Sequence, residues 1–357
     1  MKQKNSLLYR RAVPGDGGRM LELIESRSSG GALDIVYTRR EDAFRSYMAD
    51  CKDAEITLCV DEGNRVRAQM VCLPRRVYIG GKVRTVGYVT GLCKRTDSFV
   101  NLKRLLHAAL DDAQADFFFY SILSENGAGS KMLDKKRGYM PDLRSVGNYT
   151  TYLFSPYAPK KPRHGFTFRR ADAADAEKLL RHYRDYGRNH DFFPEMTSLS
   201  AFHGLHAECF YLLTHPGGDI AAAGALWDQR DFKQHIVKAY NGIYKTLSKW
   251  NVLLRPLRYP PLPQQGEVAD FAYLSFFAAG RDDPDIIRIF LGEAAAAARP
   301  LYGAICVGAI ENSETRRILD TIKNVHFGSR LCCFDLKRND AGAELGSRPA
   351  YFECGLL

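Results

Sequence analysis

The sequence predicts an α/β fold (α+β in the stricter sense) built as two tandem domains. A chain of 357 residues is longer than one hydrophobic core usually serves. Residues 155–165 are rich in proline and basic side chains, which suits a linker because proline disrupts helices and inner strands. On both sides of that stretch, a short strand pattern is followed by an amphipathic helix pattern.

The two openings are also similar in sequence, which indicates an internal repeat. Residues 8–12 read LYRRA and precede a helical pattern at 19–25. Residues 166–171 read FTFRRA and precede a helical pattern at 174–183. We therefore expect an N-terminal domain at 1–155, a linker at 156–165, a C-terminal domain at 166–339 and a tail at 340–357.

Apolar patterns predict the strands of the first domain at 55–60, 66–73, 86–93, 117–123 and 148–154, with a hairpin at 76–85. Helical patterns follow at 44–50, 99–114 and 130–136. The run at 117–123 is almost wholly apolar, as expected of a strand that is buried on both faces.

The second domain repeats this order, with strands at 210–214, 220–227, 268–279, 304–309 and 330–336 and helices at 285–298 and 314–323. Arg11 matches Arg170 and Asn126 matches Asn312, but the second arginine and asparagine are further apart than the first two. The second domain therefore carries an insertion, which we assign to 228–265, with a helix pattern at 243–259. Long insertions in compact domains often serve function.

Composition narrows the class of protein. Hydrophobic residues make up 45% and charged residues 26%, which is typical of a globular chain. No apolar run reaches the length of about 18 residues that a membrane helix requires. The nine cysteines form no CxxC pair and have no spacing suited to zinc. We expect reduced thiols, no metal site, no membrane insertion and a cytoplasmic protein.

The order of elements, found twice, resembles the GNAT (Gcn5-related N-acetyltransferase) superfamily. The resemblance is carried by three pairs of segments, namely 9–16 with 168–172, 87–106 with 272–291, and 126–139 with 312–327. It covers almost the whole chain. It implies two tandem GNAT-like domains, each with a mixed, mostly antiparallel sheet flanked by helices.

The resemblance implies an acyl-CoA-dependent N-acyltransferase, in which an amine attacks the thioester directly in a ternary complex. Acetyl-CoA or another acyl-CoA is the expected co-substrate. Backbone N–H groups and a helix N-terminus hold the pyrophosphate in such a site, while a base and an acid move the protons. Both phosphate loops depart from the family pattern, since 94–101 has no glycine and 280–284 has two acids. The tyrosine that many family members use as acid is replaced by Leu133 and Leu319.

Because the first loop is basic and the second is acidic, we assign the cofactor to the first domain. Its candidate contacts are Leu92, Cys93, Lys94, Arg95, Ser98 and Asn126. Glu125 is the candidate base and Tyr139 the candidate acid. The acceptor amine has candidate contacts at His190, Asp191 and Tyr240. Helix capping, core packing and a solvated surface are the structural alternatives for these residues.

Two other functions fit the same fold. Fem-type aminoacyl or peptidyl transferases are also tandem GNAT-like chains, and they draw on aminoacyl-tRNA. A catalytically degenerate sensor or interaction module would explain the two altered loops.

The net charge of +10 is concentrated in the segment 1–155, which holds 25 basic and 18 acidic side chains. This gradient favours a phosphorylated small ligand over nucleic acid, with a small-molecule or peptide amine as acceptor. The oligomeric state stays open.

Overall fold

The computed structural model describes residues 7–28, 30–124, 142–157, 165–250, 257, 259–336 and 344–357. The strands are β1 (Leu8–Arg11), β2 (Leu33–Thr38), β3 (Glu55–Val60), β4 (Val66–Ile79), β5 (Lys82–Lys94), β6 (Phe117–Leu123), β7 (Leu143–Phe154), β8 (Thr167–Arg170), β9 (Phe210–Thr214), β10 (Ile220–Trp227), β11 (Gln234–Tyr240), β12 (Phe271–Ala279), β13 (Ala304–Ile310) and β14 (Asn324–Phe334). The helices are α1 (Gly17–Glu25), α2 (Ala43–Asp50), α3 (Leu102–Leu110), α4 (Ala176–Gly187), α5 (Ile243–Leu247), α6 (Pro284–Ala298) and α7 (Glu314–Leu319).

Both halves of the chain contribute to one mixed sheet of twelve strands, in the order β1-β3-β4-β5-β6-β14-β7-β13-β12-β10-β9-β8. The pairings β5–β6 and β12–β13 are parallel, and the other neighbours are antiparallel. Helices flank the sheet, so the predicted fold class is confirmed. β2 and β11 form a separate antiparallel ribbon that joins the first half to the second.

The last strands of the two halves exchange places at the centre of the sheet. β14 lies between β6 and β7, and β7 in turn pairs with β13. β14 and β7 are paired over their length, from Asn324 opposite Phe154 to Phe334 opposite Leu143. Local sequence patterns carry no signal for this exchange, because it joins segments from opposite halves of the chain.

The internal repeat is visible in matching contacts. Arg10 donates to both carboxylate oxygens of Asp16, at 2.6 and 2.8 Å. Arg169 makes the same two bonds to Asp175, at 2.6 and 2.5 Å. The two pairs occupy the same places in the two similar openings, so Asp175 is the counterpart of Asp16, whereas the sequence comparison matched Asp16 with Asp172. In each half, this bidentate pair fixes the turn between the first strand and the first helix.

Helices cover both faces of the sheet. α1, α2 and α4 pack on the face where the largest core cluster lies, and this cluster includes residues from both halves. On the opposite face, α3 covers the first half, whereas α6 and α7 cover the second. The shared core cluster lies where the two halves meet, so groups on that face belong to both halves.

Several predicted elements have different bounds in the structure. The helix expected at 99–114 is Leu102–Leu110, because Asn101 caps it by accepting from the backbone N–H of Arg104 at 3.1 Å. The expected hairpin at 76–85 is part of two long continuous strands. β2 has no counterpart among the predicted strands, although its alternation of Leu33, Ile35 and Tyr37 is a strand signal.

Candidate functional site

Two clefts arise where parallel neighbours in the sheet separate. β5 and β6 are paired over three residues only, from Val86–Phe117 to Tyr88–Phe119. β12 and β13 are likewise paired over three, ending at Tyr273–Cys306. Beyond these residues, the two strands of each pair are no longer paired with each other, and no described strand lies between them. We call the opening between β5 and β6 the first cleft and that between β12 and β13 the second cleft. Free strand edges can pair with an extended ligand.

A β-bulge borders each cleft at the equivalent position. In β5, the extra residue falls at Gly91–Leu92, and Gly91 has a φ of 60°. In β12, the bulge falls at Phe276–Phe277, and Phe276 has a φ of 53°. A bulge turns backbone groups out of the regular ladder, towards the cleft. Both bulges lie in the strand that precedes the phosphate loop, so they occupy matching places in the repeat.

The second bulge is already occupied by the C-terminal segment. The backbone N–H of Phe276 donates to the carboxylate of Glu353. The same carboxylate accepts from the hydroxyl of Tyr351 at 2.8 Å and from the backbone N–H of Gly355 at 2.9 Å. Burial raises the pKa of Glu353, and these hydrogen bonds offset part of that rise. The innermost part of the second cleft is therefore filled by the chain itself.

The phosphate-loop end of the second cleft is unsuited to anions. Asp283 caps α6 by accepting from the backbone N–H groups of Asp285 and Ile286, at 2.8 and 3.2 Å. A cavity of about 190 Å³ remains, with Asp282 and Glu314 in its wall. Within the described part of the chain, no lysine or arginine lines this cavity. The N-terminus of α6 is already capped by Asp283. The carboxylates in the cavity wall repel phosphate.

The loop after β5 differs from the loop after β12 because two basic residues stand where the strand ends and the loop begins. Lys94 ends the strand and forms no ion pair with any described residue. The guanidinium of Arg95 donates to the carbonyl of Val66 at 3.1 Å and lies 3.6 Å from the carboxylate of Glu22. Ser98 is buried and its hydroxyl donates to Asp97 at 3.3 Å. The cap of α3 is Asn101, so the capping alternative for Ser98 is wrong.

Leu92 and Cys93 follow the bulge on the same strand. Leu92 is 38% exposed. Burial raises the pKa of Cys93 to about 12, so it remains a neutral thiol. A Cβ atom on Gly91 would lie 2.5 Å from the hydroxyl oxygen of Tyr47, which shows how closely α2 approaches the bulge. Leu92, Cys93, Lys94, Arg95 and Ser98 therefore lie together at one end of the first cleft.

A pair of hydroxyl groups lies at the inner end of the first cleft. The sequence does not predict this pair. The oxygens of Tyr88 and Ser121 are 3.1 Å apart. Burial raises the pKa of Tyr88, while hydrogen bonds from Ser121 and Thr90 and the charge of Arg75 act in the opposite direction. A tyrosine in a predicted strand carries no special signal, so only the separation of β5 and β6 identifies it.

Beside this pair, a buried ionic cluster joins the two halves. The carboxylate of Asp50 accepts from Arg39 and from Arg75, each at 2.8 Å. Burial opposes ionisation of Asp50, but the charges of Arg75, Lys233 and Arg39 hold its pKa well below the usual range. Nζ of Lys233 donates to the main-chain oxygens of Gly355 and Leu357, at 3.2 and 2.8 Å.

The cluster has more positive than negative side chains. Burial lowers the pKa of Lys233 to about 8, with Asp50 opposing that change and both arginines supporting it. The Nε–H of Arg75 has no hydrogen-bond partner among the described residues, although Arg75 is only 7% exposed. The charges of Arg75, Lys233 and Arg39 thus all act on the side-chain carboxylate of Asp50.

The predicted acceptor residues lie elsewhere. Nε2 of His190 is 2.9 Å from the carboxylate of Asp282, so His190 borders the second cleft. Asp191 is 1% exposed, and its carboxylate accepts from the backbone N–H groups of Gly80 and Gly346. Gly80 precedes β5, whose thirteen residues span about 40 Å and end at the loop that begins with Arg95. The structure therefore separates these two residues from the phosphate loop of the first cleft.

The remaining candidates divide between the insertion and the part of the chain that is not described. The hydroxyl of Tyr240 donates to the carbonyl of Pro263 at 2.6 Å, at the end of β11. Glu125, Asn126 and Tyr139 lie in 125–141, outside the described residues. In the described ranges, no group of three or more His, Cys, Asp or Glu could hold a metal ion. No described helix has the length and apolar character needed to cross a bilayer.

The fold is similar to that of several solved acyltransferases. Saccharomyces cerevisiae N-myristoyltransferase with bound myristoyl-CoA matches with a TM-score of 0.59 over 94% of this chain and 85% of that one, at 10% identity. A GCN5-related N-acetyltransferase from Sphaerobacter thermophilus matches over 97% of both chains, with a TM-score of 0.54 and 12% identity. The glucosamine N-acetyltransferase region of a fungal multi-domain GH3 β-N-acetylglucosaminidase matches with a TM-score of 0.59 at 10% identity, over 93% of this chain and 38% of that one.

At these identities the matches establish the fold. They confirm the resemblance in architecture that the ordered, repeated elements indicated, including its extent over nearly the whole chain. No protein-family model matches the sequence, and no curated protein matches it.

Proposed function

This chain has the GNAT fold in tandem, and on that premise we propose that it is an acyl-CoA-dependent N-acyltransferase whose active site is the first cleft. The observation that carries the proposal is the difference between the two clefts. At the second bulge, the N–H of Phe276 is taken by Glu353. At the first bulge, the described neighbours of Gly91 are the neutral groups of Tyr47 and Gln69. This difference supports the first cleft as the place where the thioester would bind.

The cofactor is assigned along the first cleft. The pantetheine arm would pair with the free edges of β5 and β6 beyond Tyr88 and Phe119, passing Leu92 and Cys93. The pyrophosphate would lie at the basic end of β5, near Lys94, Arg95 and Ser98. Lysine and arginine can replace missing glycine N–H groups, because charge-assisted hydrogen bonds to phosphate are strong. Asn126 follows β6 and keeps its proposed place beside the pantetheine arm.

The proposed reaction is direct transfer. The acceptor nitrogen attacks the thioester carbonyl carbon, the C–S bond breaks, a base takes the proton of the amine, and the CoA thiolate is protonated. We keep Glu125 as the proposed base and Tyr139 as the proposed acid. Tyr88 is a further acid candidate, because its phenol lies at the inner end of the cleft; burial raises its pKa, and the charge of Arg75 opposes part of that rise. The charge of Arg75, which acts on Tyr88, supports stabilisation of the oxyanion and thiolate.

Acetyl is the proposed acyl group, and the proposed acceptor is a small-molecule or peptide amine. His190, Asp191 and Tyr240 stay predictions for the acceptor. The contacts of His190 with the acidic wall of the second cleft support attraction of a cationic amine by that half. The carboxylate of Asp191 is engaged by two backbone amides, which supports an orienting role for the loop rather than direct contact.

A ligand-binding series tests the proposal. Thermal unfolding of the full chain is measured with acetyl-CoA, longer acyl-CoAs, free CoA and tRNA. A ligand at 100 times its Kd stabilises the folded state by about 2.7 kcal/mol, which produces a measurable rise in Tm. We expect a rise with acyl-CoA, and release of a free thiol when an amine acceptor is added. A rise with tRNA alone would favour the Fem-type alternative, and no rise with any CoA would overturn the proposal.

A further inference from the structure

The insertion forms a closed excursion from the second half. It leaves the body at the end of β11 and returns beside the same strand, where the N–H of Gly266 donates to Val237 at 2.9 Å. The bond between Tyr240 and Pro263 closes its base. The two ends of this excursion, at Tyr240 and at Pro263–Gly266, therefore lie side by side.

Large apolar side chains on this excursion face solvent. Ile243 is 70% exposed, Trp250 60%, Leu257 54% and Tyr259 37%. Ile243 begins α5, and Trp250 ends the 3-10 turn that follows it, seven residues later. A spacing of seven places two residues on the same side of a helical segment, so both apolar groups face one direction. Single exposed apolar residues are normal, but a group of four on one excursion is not.

The charge of the excursion has one sign. Between Asn241 and Gly266 the sequence has four basic residues and no acidic residue. Lys245 and Lys249 are exposed, and neither forms an ion pair within the described residues. Lys323, from the loop after α7, lies with Nζ 5.5 Å from the ring centre of Tyr259 and adds a further cation beside the group. We define the basic apolar patch as Ile243, Lys245, Lys249, Trp250, Leu257 and Tyr259.

We propose that the basic apolar patch docks this protein on the surface of an anionic lipid bilayer. A bilayer surface accepts aliphatic and aromatic side chains at the headgroup level while its anionic lipids attract lysine. Trp and Tyr have an apolar body and a polar tip, which suits the boundary between headgroups and acyl chains. Exposed aliphatic groups such as Ile243 and Leu257 favour a bilayer over nucleic acid, which offers aromatic stacking and phosphates instead. This proposal is independent of the acyltransferase function.

Vesicle flotation with the full chain tests the proposal. The probes are vesicles of phosphatidylcholine alone and vesicles in which a third of the lipid is phosphatidylglycerol. We expect binding to the anionic vesicles only, and binding that weakens as salt rises. Each lysine near an anionic surface contributes about fivefold to partitioning, so the double variant Lys245→Ala, Lys249→Ala should bind about 25-fold more weakly. Trp250→Ala should also weaken binding, and Trp250→Phe should restore most of it.

Two control variants match these changes outside the patch. Leu301→Ala removes a 51% exposed apolar side chain, and the pair Lys52→Ala, Lys82→Ala removes two exposed lysines. Both controls should bind vesicles as the parent does, and all variants should keep the parent Tm. Three results would each overturn the proposal: no binding to either vesicle, equal loss in controls and patch variants, or binding only to a soluble polyanion such as heparin or to tRNA.

Discussion

The carboxylate of Glu353 accepts a hydrogen bond from the backbone N–H of Phe276, at the bulge of β12. At the equivalent bulge in β5, the atoms nearest to a Cβ on Gly91 belong to Tyr47 and Val71, and the Gly91 carbonyl accepts from Gln69. The two halves share one architecture, but they differ at the bulge. The backbone N–H at this bulge is the group that would contact a thioester. The difference supports different roles for them, with a cofactor cleft in the first half and a closed cleft in the second.

Glu353 should make the stability of the protein depend on pH. Burial raises its pKa above the ordinary 4.5, so the folded state holds its proton more tightly than the unfolded state. The free energy of unfolding should therefore fall as pH rises from about 4.5 through the folded pKa. Glu353→Gln should remove this part of the dependence, as measured by Tm between pH 4 and 8. A pH profile that Glu353→Gln leaves unchanged would contradict the prediction.

Gly91 should be intolerant of a side chain. Its φ of 60° strains any L-residue, and a Cβ atom would approach the hydroxyl of Tyr47 to 2.5 Å. Gly91→Ala should lower the free energy of unfolding by about 1–3 kcal/mol and weaken acyl-CoA binding as the bulge shifts. Gly15→Ala is the control, since a Cβ atom there meets nothing within 4 Å. Equal tolerance at both positions in urea unfolding would contradict the prediction.

Lys94 should contribute more to cofactor affinity than Arg95. The guanidinium of Arg95 is partly engaged by Val66 and Glu22, whereas Lys94 forms no ion pair with the described residues. Loss of a charge-assisted bond to phosphate costs about 1.5–3 kcal/mol, so Lys94→Ala should raise the Kd for CoA roughly 10- to 100-fold. Arg95→Ala should have a smaller effect. Isothermal titration with CoA and with dephospho-CoA measures both.

Lys103→Ala is the matched control for the cofactor loop, because Lys103 is a lysine of α3 rather than of the loop itself. It should change the Kd by less than either loop variant. An unchanged affinity in Lys94→Ala would move the cofactor away from the first cleft.

Tyr88 should affect turnover more than binding. Its hydroxyl lies at the inner end of the first cleft, 3.1 Å from that of Ser121, where the leaving sulfur is expected. Tyr88→Phe should lower kcat about 100-fold with little change in KM, which is the range for loss of a general acid. Tyr152→Phe is the control, because this equally buried tyrosine bonds to Asp320 on the opposite face. Parallel losses of kcat in both variants would indicate a structural effect.

Asp50 should be a stability determinant of the shared core. Its carboxylate is bonded to both Arg39 and Arg75, so its removal leaves two buried cations without that partner. Asp50→Ala should lower the free energy of unfolding by about 3–5 kcal/mol. Asp111→Ala, which breaks an exposed pair with His107, should cost less than about 1 kcal/mol. Urea denaturation with a common slope for the variants measures both changes.

Much of the architecture follows from the sequence because local patterns encode it. The sequence predicts the repeat of Arg10 and Arg11 in Arg169 and Arg170. It also predicts the apolar run of β6 and the basic loop after β5. The exchange of β7 and β14 is not readable, since strand partners far apart in sequence leave no local signal. The hydrogen bond between Glu353 and Phe276 could not be predicted for the same reason, because it joins the C-terminal segment to a strand 77 residues earlier.

The exchange of β7 and β14 also sets the order of events when the chain is made. Until residues 324–334 have left the ribosome, β6 has an open edge and the sheet of the first half is unfinished. An open strand edge is a site for pairing with other chains, so the nascent protein is exposed to aggregation for most of its synthesis. Completion of the sheet depends on contacts between residues that lie far apart in the sequence, and such contacts form slowly. The last strand therefore closes both halves at once, and we expect nascent chains that end before β14 to need chaperone protection.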